Sequence, residues 1–273
     1  MKPRAFDYAR PETLAEALDL LAEFGDAAKV VAGGQSLTAM LNLRLLEPSL
    51  LIDIARLREL DFIRVENGFL EVGAAVTQDR LLSWPGLAEH VPLLAQALPW
   101  VGHFQTRNRG TVCGSLAHAD PSSELPLSLA ALGGEVVLRS ARGSRTLPAG
   151  EFQRGLLTTA RAPDELIVAA RFPVGATRTA FREIARRHGD FAIVAVAAVV
   201  VPGGVRLAAG GVADRPGVVV VNDLAPAAVA ERLNGFAWEL GGSDDIHATA
   251  RYRRDLVRSL GARVIEEALA CAA

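Results

Sequence analysis

Two glycine-centred segments hold most of the chemistry this sequence offers. The first is Val30-Val31-Ala32-Gly33-Gly34-Gln35-Ser36-Leu37; the second, beginning some eighty positions later, is Gly110-Thr111-Val112-Cys113-Gly114-Ser115-Leu116-Ala117-His118-Ala119-Asp120-Pro121. Gly33 and Gly34 lack a Cβ, so the backbone there can take positive φ and approach a ligand closely. Ser36 falls where a helix begins, and its N–H, its hydroxyl and the helix dipole all favour an anion. In the second segment, expected to be another turn, Thr111, Ser115 and His118 supply hydroxyl and imidazole groups, and Gly110 and Gly114 supply freedom. Asp120-Pro121 fixes a turn, and Glu124 comes within reach of a sugar or polyol hydroxyl if that turn folds back. One such turn is equally an ordinary strand–turn–helix corner. Two in one domain suit the two phosphates of a dinucleotide.

Other chemistries are poorly served. The first turn has no following Gly-Lys-Ser/Thr and is not Gly-x-Gly-x-x-Gly, which disfavours a P-loop and a Rossmann site. Gly-x-Ser-x-Gly is missing and no Ser/His/Asp order stands out, so His118 reads first as a structural histidine. Five histidines show no ligand spacing, and two cysteines, Cys113 and Cys271, cannot hold a cluster or a structural zinc. Any electron-transfer metal would therefore sit on another chain. Charge is balanced, with 29 basic and 31 acidic residues and a net charge of −2. That gives no electrostatic case for nucleic acid or an anionic membrane. There is no long apolar run for a transmembrane helix and no apolar stretch after Met1-Lys2-Pro3-Arg4 for a signal peptide, so a cytoplasmic location is expected.

The elements that must position these segments can be read from pattern. Half the residues are apolar, mainly Ala, Val and Leu, and mean hydropathy is +0.24, which suits buried sheets covered by helices. Pro11-Glu12-Thr13 opens a helix carrying Leu14, Leu18 and Leu21, ended by Gly25. Lys29 to Ala32 is a strand, Leu37 to Leu45 a helix stopped by Pro48, and Leu50 to Asp53 a second strand. Phe62–Val65 and Phe69–Val72 flank the hairpin signal Asn67-Gly68. Thr77 caps a helix through Leu82, and Pro92 to Val101 is another. Leu125 to Leu132 is helical, and Glu135–Arg139 and Glu165–Phe172 are strands. Pro173 to Ala176 is the linker candidate. Beyond it, the Ala/Val run Phe191–Val201 forms a hairpin with Val205–Ala209 through Pro202-Gly203-Gly204, and Pro226–Leu233 and Arg251–Leu269 are amphipathic helices.

These motifs together resemble the medium, flavin-binding subunit of the molybdenum hydroxylases, the family of carbon monoxide dehydrogenase and xanthine dehydrogenase. The resemblance continues through Pro163-Asp164-Glu165-Leu166-Ile167, Arg186 to Ala192, Leu207-Ala208-Ala209-Gly210-Gly211-Val212 and His247 to Arg254, in order and over nearly the whole chain. It implies an α+β fold. Residues 1–175 would form a FAD-binding domain of the vanillyl-alcohol oxidase type, in subdomains of about 1–55 and 56–175. Residues 176–273 would form a C-terminal domain of antiparallel sheet and helices. It implies that Ala32, Gly33, Gly34, Gln35, Ser36 and Leu37, with Gly110, Thr111, Val112, Cys113, Gly114, Ser115 and His118, surround FAD, most closely its pyrophosphate. Glu124 matches a position binding FAD hydroxyls, Leu166 a backbone contact, Arg182 a basic contact, Val101 an apolar neighbour, and Phe191 a residue lying against the isoalloxazine. Cys113 departs from the family, which usually has glycine there; it reads as a small apolar filler or a reactive thiol.

By the same resemblance the chain works in a division of labour. A large subunit would carry molybdopterin and hydroxylate the substrate. A small one would pass electrons through two [2Fe-2S] clusters to FAD on this chain, and an external acceptor would receive them. The assembly would be a dimer of heterotrimers, with no catalytic acid or base required here. Two alternatives remain at this stage. One is a self-contained FAD-dependent oxidase or dehydrogenase of the related fold, which isolated turnover would favour. The other is a scaffold that has lost FAD, which a flavin absorption spectrum would discard.

Overall fold

Thr13 opens the first helix by accepting a hydrogen bond from the Glu16 N–H at 3.2 Å, and Leu14, Ala17, Leu18 and Leu21 bury one face of it. In the computed structural model, which describes residues 2–271, this helix (α1, Leu14–Phe24) packs against a three-stranded parallel sheet. Its strands β1 (Asp7–Ala9), β2 (Ala28–Val31) and β3 (Leu50–Asp53) lie in the order β1-β3-β2. Helix α2 (Leu37–Asn42) joins β2 to β3 and is shorter than expected. Arg44 takes a φ of 57° and the Leu45 N–H returns to the Met40 carbonyl at 2.9 Å. Local chain reversal, not Pro48, thus ends the helix.

The second sheet begins with the hairpin β4 (Ile63–Glu66) and β5 (Phe69–Gly73). Asn67 and Gly68, at φ 51° and 80°, make its tight turn. Short helices follow: α3 (Gln78–Leu82), α4 (Leu87–His90), α5 (Pro92–Ala97) and α6 (Phe104–Arg107), then α7 (Val112–His118) and α8 (Glu124–Leu132). The helix expected to reach Val101 gives way after Ala97 to a 3₁₀ turn at Leu98–Trp100. Strands β6 (Glu135–Ser140) and β7 (Gly143–Pro148), helix α9 (Ala149–Phe152), the small hairpin β8 (Gln153–Gly155) and β9 (Thr158–Thr159), and β10 (Leu166–Pro173) complete this region. The antiparallel order is β4-β5-β10-β6-β7.

A four-stranded antiparallel sheet follows, β11 (Thr179–Ile184), β12 (Val194–Val201), β13 (Gly204–Gly210) and β14 (Gly217–Val221), in chain order. Helices α10 (Pro226–Glu239) and α11 (Ala250–Ala270) form its outer layer. Its other face receives α8, all nine residues of which are buried. The Ala/Val run is explained by this arrangement. Val194, Val196 and Ala198 enter the core under α10 and α11, while Ala195, Ala197 and Val199 enter the larger core shared with α8. Both faces are dry, so the run is continuous instead of alternating. The strand starts at Val194, three residues later than expected, which leaves Phe191 outside it. Among the described residues, no helix is long and apolar enough to cross a membrane.

Candidate functional site

The two glycine segments touch each other. A Cβ built on Gly33 would lie 2.0 Å from the Arg109 carbonyl oxygen and 2.7 Å from Gly110 Cα, so only glycine permits the approach. Gly34 has a φ of +69°. The carbonyls of Gly34 and Ser36 accept from Thr38 and Met40, each at 3.1 Å, which starts α2. The N–H groups of Gly33, Gly34, Gln35 and Ser36 find no acceptor among the described residues. Free N–H groups gathered at a helix start are suited to an anion.

The second segment is largely helix, which corrects the expected turn. Gly110 is anchored through its N–H to Thr106 (2.7 Å) and through its carbonyl to the Gln78 N–H (2.8 Å), and Val112 donates to Val76 at 3.1 Å. Thr111 then caps α7, its hydroxyl accepting from the Gly114 N–H at 3.0 Å. A Cβ on Gly114 would approach that hydroxyl to 2.7 Å. Cys113 lies in the first turn of α7, where right-handed backbone tolerates a Cβ, so glycine is not needed there. Its Sγ donates weakly to the Val72 carbonyl at 3.6 Å. Burial pushes the thiol up to about 12, which makes it an inert filler instead of a reactive thiolate.

Between the segments lies a cleft of about 630 Å³. Ala32 to Leu37 line it from the first segment, and Gly110, Thr111, Cys113, Gly114, Ser115 and His118 from the second; Val101, Glu124, Leu166 and Phe191 complete the expected set. Two expected residues are not brought there. Val112 is fully buried in the core beside Val76. Arg182 points to the opposite face of β11 and pairs with Glu267 of α11, Nη2 to Oε1 at 2.8 Å and Nε to Oε2 at 3.0 Å. Strand alternation is the reason: Phe181 faces the core shared with α8, Ala180 the core under α11, and Arg182 follows Ala180.

Glu124 begins α8 and is buried against the cleft. Burial, helped by the charge of Asp120, pushes its carboxyl up to about 7. Its neighbours are fixed: the Ser115 and Ser123 hydroxyls share a hydrogen bond of 2.8 Å, and Asp120 accepts from the Ser122 N–H at 2.8 Å. Phe191 is 71% exposed on the rim, a large aromatic ring kept out of the core.

Sequence reasoning missed several lining residues. Gln78 is buried with its Oε1 unpaired, over Gly110. The half-buried guanidinium of Arg161 donates to the Glu165 carbonyl at 2.6 Å and the Ala162 carbonyl at 3.0 Å, shaping the approach to Leu166. Lys29, Gly189 and Asp190 also line the cleft. Proximity to Thr77, Pro163 and Phe191 was the only signal for Gln78, Arg161 and Asp190. No cluster of metal-ligating side chains occurs among the described residues.

Residues 4–175 match the model for the FAD binding domain in molybdopterin dehydrogenase. The chain belongs to this family, among its FAD-binding medium subunits. The nicotine 6-hydroxylase medium subunit of Paenarthrobacter nicotinovorans is 36% identical over 98% of this chain and 99% of its own length. The solved structure of quinoline 2-oxidoreductase from Pseudomonas putida 86 superposes with a TM-score of 0.91 at 35% identity, covering 98% of this chain and 99% of that one. A carbon monoxide dehydrogenase from Hydrogenophaga pseudoflava that lacks the Mo-pyranopterin moiety superposes with a TM-score of 0.93 at 32% identity over the full length of both chains. The chain is thus an FAD-binding subunit of an oxidoreductase. The chemistry of its cleft fits that cofactor: four N–H groups with no acceptor among the described residues, a glycine where a Cβ would clash, and the buried Glu124 carboxyl.

Proposed function

We propose that this chain holds FAD between its two glycine segments and relays electrons from [2Fe-2S] clusters of a small partner subunit to an external acceptor. A large partner subunit would carry molybdopterin and the substrate. The observation that carries this reading is the contact of Gly33 with Arg109-Gly110, which joins the free N–H groups of residues 33–36 to the start of α7 in one cleft. In this account Gly33 to Ser36, Thr111 and Ser115 bind the pyrophosphate through backbone N–H and hydroxyl groups. Lys29 and Arg161 are the two Lys/Arg residues among the described lining. Glu124 accepts from a ribityl or ribose hydroxyl, and Phe191 covers one face of the isoalloxazine. FAD supplies the redox chemistry; this chain binds it, orients it and shields it from water. A division at about residue 175, a dimer of heterotrimers and a cytoplasmic location complete the proposal.

The test is flavin occupancy of the purified complex carrying Ser36→Ala and Glu124→Ala together. Loss of a hydroxyl and a carboxyl that contact the cofactor weakens FAD retention by about 10-fold or more. Unchanged occupancy would overturn the assignment.

A further inference from the structure

The segments Leu207–Val212 and His247–Arg254 lie outside the cleft, yet both converge on one buried side chain. Arg253 of α11 is 5% exposed. Its Nη1 donates to the Ile193 and Gly211 carbonyls, each at 2.6 Å, and its Nη2 meets the Asp245 carboxylate at 2.5 Å. Asp245 is oriented in turn by the N–H groups of His247 (2.8 Å) and Ala248 (2.9 Å). The Gly211 N–H donates to the Pro121 carbonyl at 2.7 Å. Gly211 has a φ of +79°, and a Cβ on it would lie 2.7 Å from the Ile193 carbonyl; a Cβ on Gly210 would lie 2.9 Å from that of Pro121. Only bare backbone fits at this junction.

The two strands of chain gathered here lead into the cleft. Pro121 stands between Asp120 and Ser123-Glu124, and Ile193 follows Phe191 by two residues; Asp120, Ser123, Glu124 and Phe191 all line the cavity. We propose that Arg253, seated on Gly210-Gly211, is a positioning residue for the FAD cleft, fixing from behind both the Asp120–Glu124 turn and the Gly189–Phe191 rim. The C-terminal sheet and α11 are then part of the cofactor site, although they supply no contact to it. A guanidinium is required because its planar fork reaches two carbonyls and a carboxylate at once, which a compact ammonium does not do. Removing it takes the donor from the buried Ile193 carbonyl and the part-buried Gly211 carbonyl and leaves Asp245 without its cation.

This inference rests on the FAD reading above, and the experiment separates the two. FAD is titrated into the full chain, followed by flavin fluorescence, for wild type, Arg253→Gln, Arg253→Lys and Arg178→Gln. Arg178 donates to the Leu269 carbonyl at 2.6 Å, so it ties α11 to the sheet without reaching the cleft. Arg253→Gln weakens FAD binding about 10-fold or more, Arg253→Lys recovers part of it, and Arg178→Gln leaves it unchanged. If Arg253→Gln does not fold, Asp245→Asn loosens the same guanidinium more gently. Amide hydrogen exchange without FAD gives the second readout. Exchange rises in both residues 120–124 and residues 189–193 for the Arg253 or Asp245 variant but not for Arg178→Gln. FAD affinity equal to wild type, or exchange unchanged in those segments, overturns the positioning role. Failure of the wild type to bind FAD overturns the functional reading instead, while the exchange data still judge the clamp.

Discussion

Glu183 shows what burial does to a single side chain. It lies on the inner face of β11, and neither carboxylate oxygen has a hydrogen-bond partner among the described residues. Burial, reinforced by Glu124, pushes its carboxyl up from the ordinary 4.5 to about 8. The folded chain therefore holds a proton that the unfolded chain releases above the ordinary value. The stability this contributes is complete below that value and is lost as pH rises through about 8. Glu183→Gln keeps the neutral shape at every pH. Its melting temperature is expected to match wild type at about pH 4 and to exceed it by several degrees at about pH 9. Thermal melts at the two pH values check this, and an unchanged difference would contradict it. Gly33 is the opposite case, where the decisive property is the absence of a side chain. The sequence marked Gly33 as permissive, but the partner that demands glycine, the Arg109 carbonyl, is more than seventy positions away and had no local signature.

Helix α7 is seven residues long, too short to hold itself together without tertiary support. Its Thr111 cap and the backbone ties of Gly110 and Val112 to Gln78 and Val76 set its first turn against the cleft. Thr111→Ala is expected to cost about 1 kcal/mol of stability, read from urea unfolding, and to weaken FAD binding as the first turn loosens. A variant as stable as wild type would show that the cap is not holding α7. The same element shows where local pattern failed. Gly114 read as a turn residue because glycine propensity favours turns, while the ties of Gly110 and Val112 to Gln78 and Val76 that set the helix are nonlocal; Gly110 itself stays outside the helix. Helices α1 and α11 were legible because apolar residues recur on one face of each, and Thr13 marked the start of α1; the Thr249 cap of α11 was not read from the sequence. The exposed edge strand β7 gave no apolar alternation and was missed. Helix α2 ended early because Arg44 turned left-handed, a choice no residue type announces.

At the scale of the molecule, α8 is the joint between the layers. It is buried on all sides, touching α5 and β10 on one hand and β12 and β13 on the other, and its first residue is Glu124 at the cleft. The placement of the cofactor wall thus depends on the packing of the whole chain. Apart from the buried Val112, the site residues drawn from the two segments, with Glu124 and Phe191, reached the cleft because each lies in or next to a recognisable motif. Arg182 did not, because the phase of a strand cannot be fixed without its neighbours. In the proposed function the two glycine segments form one FAD grip through their contact at Gly33. A titration of FAD into the full-length chain and its Gly33→Ala variant tests this most directly. The wild type is expected to bind one equivalent of FAD, and Gly33→Ala to bind it at least ~10-fold more weakly, as the added methyl drives the segments apart. A wild type that takes up no flavin, or a Gly33→Ala variant that binds FAD as tightly, would contradict it.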